Sequence, residues 1–216
     1  MIVASVPPSN DRSASARLGI LISGCGSNLQ AIIDAVASGQ LPATIAIVIS
    51  NIADAYGLER ARNAGIETMA MPHKHWPTRA TYDLALAAAL RERAVDLICL
   101  AGFMRLLSPA FIDAFPDAIL NIHPSLLPSF PGLDAQRQAL AHGVAITGAT
   151  VHFVNAELDA GAIVRQAAVP VLPDDTTESL SARILEQEHH LYPAAIRQVL
   201  QGGWRIDGRR FIGSLA

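Results

Sequence analysis

Leu18-Gly-Ile-Leu-Ile-Ser-Gly-Cys-Gly-Ser-Asn-Leu-Gln30 decides the fold class. An apolar run leads into a glycine-rich turn, and a helical pattern starts at once. Leu18–Ile22 reads as a buried strand. Ser27–Ala37 reads as a helix with Ser27 at the N-cap and Gln30 at capping-box spacing. The same alternation repeats downstream. Strands are expected at Thr44–Ile49, Ile66–Met71, Val95–Leu100 and Ala118–Ile122. Helices are expected at Tyr56–Asn63, Thr78–Arg93 and Ala110–Phe115, the last entered through Ser108-Pro109. Continuous apolar strands alternating with helices imply an α/β fold, a doubly wound and mostly parallel sheet with helices on both faces.

After His123 the pattern changes. Pro124, Pro128, Pro131 and Gly132 break the chain before a short helix, Ala135–Ala141. Two strands follow, Thr147–Val154 and Ala162–Val171, joined by a turn and expected to pair antiparallel. A closing helix spans Thr177–Gln201, with Asp175 and Glu178 at capping-box spacing and Gly202-Gly203 as its stop.

The 216 residues are 51% hydrophobic, which excludes a disordered chain. Formal charge is −3, from 16 basic and 19 acidic residues, so the chain as a whole attracts neither nucleic acid nor an anionic membrane. The longest apolar run, Leu97–Met104, is far short of the roughly 20 residues a membrane span needs. Residues 1–16 lack the pattern of a signal peptide and are expected to be a flexible tail. Cys25 and Cys99 make no disulfide framework, which fits a reducing cytoplasm.

Ser23-Gly-Cys-Gly-Ser-Asn28 has the make-up of a phosphate cradle. Glycines let main chain approach a ligand, and a helix start points N–H groups at an anion. A dinucleotide fingerprint needs a third glycine where Leu29 stands, and an acidic residue ending the second strand, which ends Ser50-Asn51. A phosphate monoester therefore fits better than NAD. The bland alternative is a tight turn and nothing more.

Asn121 and His123 sit at i and i+2 of a strand, so they share a face while Ile122 turns inward. Pro124 keeps His123 extended. An amide donor beside an imidazole suits acyl-type transfer: Asn121 can donate to a developing oxyanion and His123 can carry a proton. Asp159, in the turn Asn155–Gly161, would favour the imidazolium if it reaches His123. His152 is open between an orienting partner and a core histidine. His73, His75, His189 and His190 show no zinc-type spacing, and no metal is expected.

Taken together, these strings resemble the phosphoribosylglycinamide formyltransferase family, folate-dependent enzymes of purine synthesis. The matching segments are Leu21–Gln30, Ala53-Asp54, Gly57–Arg62, Leu100-Ala-Gly-Phe-Met-Arg-Leu-Leu-Ser-Pro109, Leu120-Asn-Ile-His-Pro-Ser-Leu-Leu-Pro128, Val151–Val154, Glu157–Asp159 and Gln187-Glu188. The resemblance implies transfer of a formyl group from 10-formyltetrahydrofolate, a cosubstrate, to the amine of glycinamide ribonucleotide. It implies a catalytic trio of Asn121, His123 and Asp159. Gly26, Ser27 and Asn28 would hold the phosphate, and Leu185, Glu186, Gln187 and Glu188 would face the ribose. Arg79, Met104, Arg105, Leu106, Leu107, Asn121, Asn155, Ala156, Glu157, Leu158 and Asp159 would surround the folate, with 125–146 a mobile loop. Residues 17–216 would form one domain, 17–123 its phosphate-binding half and 124–216 its folate and catalytic half. Such an enzyme is cytoplasmic, a monomer or homodimer, with small-molecule partners and no nucleic acid or membrane.

Two departures stand out. The family reads Leu-Asp-Gly-Gly where this chain has Leu158-Asp-Ala-Gly161, and Gly161 is expected to carry the unusual dihedral. Bacterial relatives often carry loop histidines where this chain has Leu133-Asp-Ala-Gln136. A formyltetrahydrofolate hydrolase, a methionyl-tRNA formyltransferase and a non-catalytic phosphate sensor are the alternatives. The first two would need an added N-terminal regulatory or C-terminal RNA-binding domain, and the sensor has no use for the Asn121–His123 pair.

Overall fold

The computed structural model describes residues 15–213. The expected tail lies outside the described residues as far as residue 14, whereas Ala16 already opens the first strand, paired with Ala43. Two compact units divide the chain between Leu120 and Asn121.

The first unit contains β1 (Ala16–Ile22), α1 (Ser27–Ala37), β2 (Ala43–Ser50), α2 (Tyr56–Asn63), β3 (Thr68–Ala70), a 3-10 turn His73–His75, α3 (Arg79–Glu92), β4 (Leu97–Leu100) and α4 (Pro109–Asp113). Its strands lie in the order β3-β2-β1-β4, each neighbouring pair parallel. Ile20, Leu21, Ile47, Ile49 and Ile98 have no accessible surface, as strands covered on both faces require. The chain moves from β1 to β2 and β3 on one side, then returns to place β4 on the other. The strand order therefore reverses between β1 and β4, and a crevice opens at their carboxyl ends.

The boundary falls inside β5 (Ile119–His123). The second unit continues with α5 (Ala135–His142), β6 (Ile146–Phe153), β7 (Ile163–Pro170), α6 (Thr177–Leu200), β8 (Arg205–Asp207) and β9 (Arg210–Ile212). β6 and β7 pair antiparallel, as expected, with a register shift between Val151 and His152. Gly148 is needed here, because a Cβ would stand 1.9 Å from the Ala167 carbonyl.

The helices and strands expected from sequence are present, with ends displaced by a few residues at most. Two cap expectations fail, and one hairpin is unexpected. α1 is capped by Gly26 in the left-handed region (φ 71), with no side-chain cap bond. Ser27 is thus inside the helix, and Gln30 turns instead to Asp34 and Arg60. α6 is capped by Thr176 with Ser179 in a capping box, one residue later than expected. Asp175 pairs in two directions with Arg183 and accepts from the Leu172 amide. The β8–β9 hairpin was not expected at all. Its Asp207-Gly208 turn is a hairpin signal, but its strands are too short to show alternation. Trp204 and Phe211 pack on Phe153 at 5.2 and 6.0 Å between ring centroids. Among the described residues no helix is long and apolar enough to cross a membrane.

Hydrogen bonding to Arg183 holds the Asp175 carboxyl well below its ordinary value of 3.8. A depressed acid contributes stability above its unfolded pKa and loses it as pH falls through the folded one. Thermal melts of wild type and Asp175→Asn should differ most at neutral pH. The gap should close as the pH drops below about 4; a gap that persists undiminished in acid would exclude this pair as its source.

Candidate active site

The glycine loop follows β1 into the crevice between β1 and β4. Ser23, Gly24, Cys25, Gly26, Ser27 and Asn28 face Ala101, Gly102 and Met104 across a cleft of about 220 Å³. Two glycines make this geometry possible. A Cβ on Gly26 would stand 2.7 Å from the Gly57 Cα, and one on Gly57 would stand 2.5 Å from Ile22 Cδ1. α2 can therefore press its first turn against the loop. The Gly57 amide donates to the Gly24 carbonyl at 3.0 Å, and Arg60 Nε donates to the Cys25 carbonyl at 2.9 Å. The loop's carbonyls are thereby drawn to α2, and the first-turn amides of α1 have no intrahelical acceptor. Such a cleft suits an anion the size of a phosphate.

The second unit carries the three residues expected to be catalytic. His123 is buried, and its Nδ1 lies 3.5 Å from Asp159 Oδ2. Its Nε2 donates to the Phe130 carbonyl at 2.8 Å. A carbonyl only accepts, so Nε2 carries a proton, and the Nδ1 facing the carboxylate is satisfied when it carries one too. Asp159 also accepts from the Gly132 amide at 2.8 Å.

His152 joins this group, which settles what sequence left open. Its Nδ1 donates to the Phe153 carbonyl at 2.8 Å, so in the neutral ring Nε2 is the acceptor. Asn121 Nδ2 lies 3.2 Å from that Nε2. The amide therefore has to present nitrogen, not oxygen, to His152, and its second N–H is left to donate elsewhere. Burial pushes His152 below the ordinary histidine value, with neighbouring His123 adding to the effect. The register shift in β6 falls between Val151 and His152, and such irregularities re-aim side chains.

The turn behind Asp159 corrects an expectation. Gly161 does not carry the left-handed dihedral; Asp159 itself does, with φ 49. Ala160 is not among the residues with positive φ, so the Ala-for-Gly departure brings no strain there. Gly161 is required for a different reason: a Cβ would stand 1.8 Å from the Phe153 carbonyl.

The 125–132 stretch is tied down by side chains. Thr150 Oγ1 donates to the Ser125 carbonyl at 2.7 Å and accepts from the Leu127 amide at 3.0 Å. Of the other expected residues, Met104 lines the cleft, and Met104 and Leu106 are 68% and 61% exposed. Arg105 lies over the Tyr82 ring, 4.9 Å from its centroid. Arg79 is exposed at the start of α3, and Leu107 is half-buried. Asn155, Ala156, Glu157 and Leu158 are exposed, with Asn155 Oδ1 accepting from the Glu157 amide. Within α6, Glu188 is buried, Leu185 and Gln187 are half-buried and Glu186 is exposed. Leu185 and Glu188, one turn apart, share a side, while Glu186 points away.

Gly161→Ala should cost about 3 kcal/mol or more, because main chain and not a flexible side chain stands in the way. Denaturant unfolding checks it; a loss below about 1 kcal/mol would mean the turn can shift freely.

An amide donor, an imidazole and a carboxylate grouped this way suit reactions in which an oxyanion develops. The comparisons agree with that chemistry. The model of the formyl transferase family matches residues 16–196. The phosphoribosylglycinamide formyltransferase of Haemophilus influenzae is 49% identical over 190 residues, 88% of this chain and 90% of that protein. The bovine trifunctional purine biosynthetic protein adenosine-3 is 49% identical over 191 residues, and the chain spans only 19% of its length. A crystal structure of glycinamide ribonucleotide transformylase 1 from Symbiobacterium toebii matches with a TM-score of 0.91 at 56% identity, covering 92% of this chain and 94% of that one. With a family match over most of its length and a relative of this identity nearly co-extensive with it, this mixed α/β chain belongs to the formyl transferase family.

Proposed function

We propose that the chain transfers the formyl group of 10-formyltetrahydrofolate to the amine of N1-(5-phosphoribosyl)glycinamide, giving the formylated ribotide and tetrahydrofolate in purine synthesis. The observation that carries this reading is the His123–Asp159 pair at 3.5 Å, beside an Asn121 amide whose orientation His152 fixes. The names of co-extensive relatives support the substrates. In this reading the loop of Gly26, Ser27 and Asn28 recognises the ribotide phosphate. The exposed Met104 and Leu106 offer an apolar surface suited to a flat heteroaromatic ring. A cytoplasmic location and small-molecule partners belong to the same reading.

The chemistry follows from the residues. The amine attacks the formyl carbon, a C–N bond forms, and the carbonyl oxygen becomes an oxyanion. Asn121 donates its second N–H to that oxygen. His123 offers its Nε2 proton, which the Phe130 carbonyl holds in this structure and has to yield. Asp159 keeps a doubly protonated His123 in place. It also assists the proton that leaves the amine and ends on the departing folate nitrogen as that C–N bond breaks. No covalent bond to the protein is required.

The deciding experiment incubates the protein with 10-formyltetrahydrofolate, with and without the ribotide. Amine-dependent release of tetrahydrofolate is expected. Amine-independent release would make the chain a hydrolase, and no release would leave only a binding protein. Asn121→Ala should lower kcat by roughly 100-fold or more. His123→Ala and Asp159→Ala should be non-additive; losses that multiply in the double variant would separate the two residues. His152→Phe should lower kcat about tenfold, the order of one hydrogen bond, with both KM values nearly unchanged. An unaltered kcat would show that the Asn121 amide needs no partner there.

A further inference from the structure

Ser23, Asn51 and His73 form a line of hydrogen bonds across the carboxyl ends of the first unit's strands. Ser23 Oγ donates to Asn51 Oδ1 at 2.5 Å and accepts from the Met104 amide at 2.8 Å. The Ser23 amide donates to the Gly102 carbonyl at 3.1 Å. One residue thus joins the two walls of the cleft, the glycine loop on one side and residues 101–104 on the other. Asn51 is 3% exposed, and its Nδ2 lies 3.2 Å from His73 Nδ1. His73 is half-buried, whereas its neighbours Lys74 and His75 are exposed. Neither Asn51 nor His73 lines the cleft.

We propose that Asn51 and His73 are positioning residues for phosphate binding, acting through the hydroxyl of Ser23. A serine hydroxyl rotates freely unless its proton has an acceptor. Here Asn51 Oδ1 takes that proton, which leaves a lone pair aimed at the Met104 amide. His73 Nδ1 lies 3.2 Å from Asn51 Nδ2 and 3.3 Å from the Asn51 carbonyl oxygen; in the tautomer that carries its proton on Nε2 it accepts from the Asn51 amide, which fixes the end of that amide that meets Ser23. Removing any member frees the hydroxyl, and the two walls lose their spacing. The proposal rests on the reading of the cleft as a phosphate site.

Cys25 supplies a direct test, because it is exposed in the loop while Cys99 is buried. Alkylation of Cys25 by iodoacetamide is followed against increasing inorganic phosphate. Wild type should be protected. Ser23→Ala, Asn51→Ala and His73→Ala should each need about 5- to 10-fold more phosphate for the same protection, the order of one hydrogen bond. His75→Ala, in the same turn, should behave as wild type. In turnover assays His73→Ala should raise the ribotide KM by a similar factor with kcat unchanged, a split that general loosening of the fold would not give. Protection in wild type that is identical in all three variants overturns the relay alone, and His73→Ala keeps that outcome open should Asn51→Ala fail to fold. No protection in wild type overturns the phosphate reading and the relay with it.

Discussion

One buried carboxylate serves two imidazoles. Asp159 has 9% of its side chain exposed, accepts from the Gly132 amide, and lies 3.5 Å from His123 and 3.7 Å from His152. A lone negative charge can support one imidazolium beside it, and a second would repel the first. The main chain decides which ring takes that place. His152 gives its Nδ1 proton to the Phe153 carbonyl, so the nitrogen nearest Asp159 is a lone pair already used by Asn121. His123 gives its Nε2 proton to the Phe130 carbonyl, so its remaining nitrogen faces Asp159 directly. Two chemically identical side chains are thereby divided, one with an N–H nitrogen directed at the carboxylate and the other as the acceptor of the Asn121 amide. Burial deepens the division by pushing His152 below the ordinary histidine value.

That arrangement depends on backbone placement more than on side-chain choice. Asp159 stands in the left-handed region, a conformation an aspartate tolerates better than most residues. Gly161 lets the chain touch the Phe153 carbonyl within a distance no Cβ permits. The residue that supplies that carbonyl also supplies, through the same oxygen, the acceptor for His152. The turn that aims the carboxylate and the contact that sets the His152 tautomer therefore meet at Phe153. The register shift before His152 completes the alignment by turning its ring towards Asn121.

The parts legible in sequence are those set by local rules. Asn121 and His123 share a strand face by period alone, and Pro124 protects that relation. The glycine loop announces itself through composition and the helix that follows. Thr177 and Tyr56 open helices where the pattern places them. The resemblance to a known family supplied Asp159, which spacing could not. What stayed hidden depends on contacts between residues far apart in the chain. Ser23 and Asn51 are 28 positions apart, and Asn121 and His152 are 31 apart. Nothing in either neighbourhood distinguishes a histidine that orients an amide from one that fills a core. The helix caps failed for a related reason. Ser27 is a good cap by type, but Gly57 presses so close to Gly26 that only a left-handed glycine fits there, and the helix begins one residue earlier.

The early start of α1 bears directly on how the cleft would take an anion in the proposed reading. With Gly26 as the cap, the helix start has no side-chain cap bond, and Ser27 lines the cleft instead of closing the helix end. Arg60, the cation in contact with the loop, is spent on the Cys25 carbonyl, on Gln30 and on the face of Tyr56. It anchors main chain and does not face the ligand space. If the cleft takes a phosphate as proposed, the attraction comes from aligned amide dipoles and a hydroxyl, whose field falls off within a turn of helix. Such a site favours an anion small enough to reach the amides themselves. A cluster of basic side chains would draw any polyanion from a distance. The acidic balance of the whole chain, −3 by formal charge, works in the same direction. In the proposed reading, selectivity for a phosphate monoester over a nucleic acid thus follows from main-chain amides at the loop and not from a cationic side chain, and that in turn follows from a glycine that cannot be anything larger.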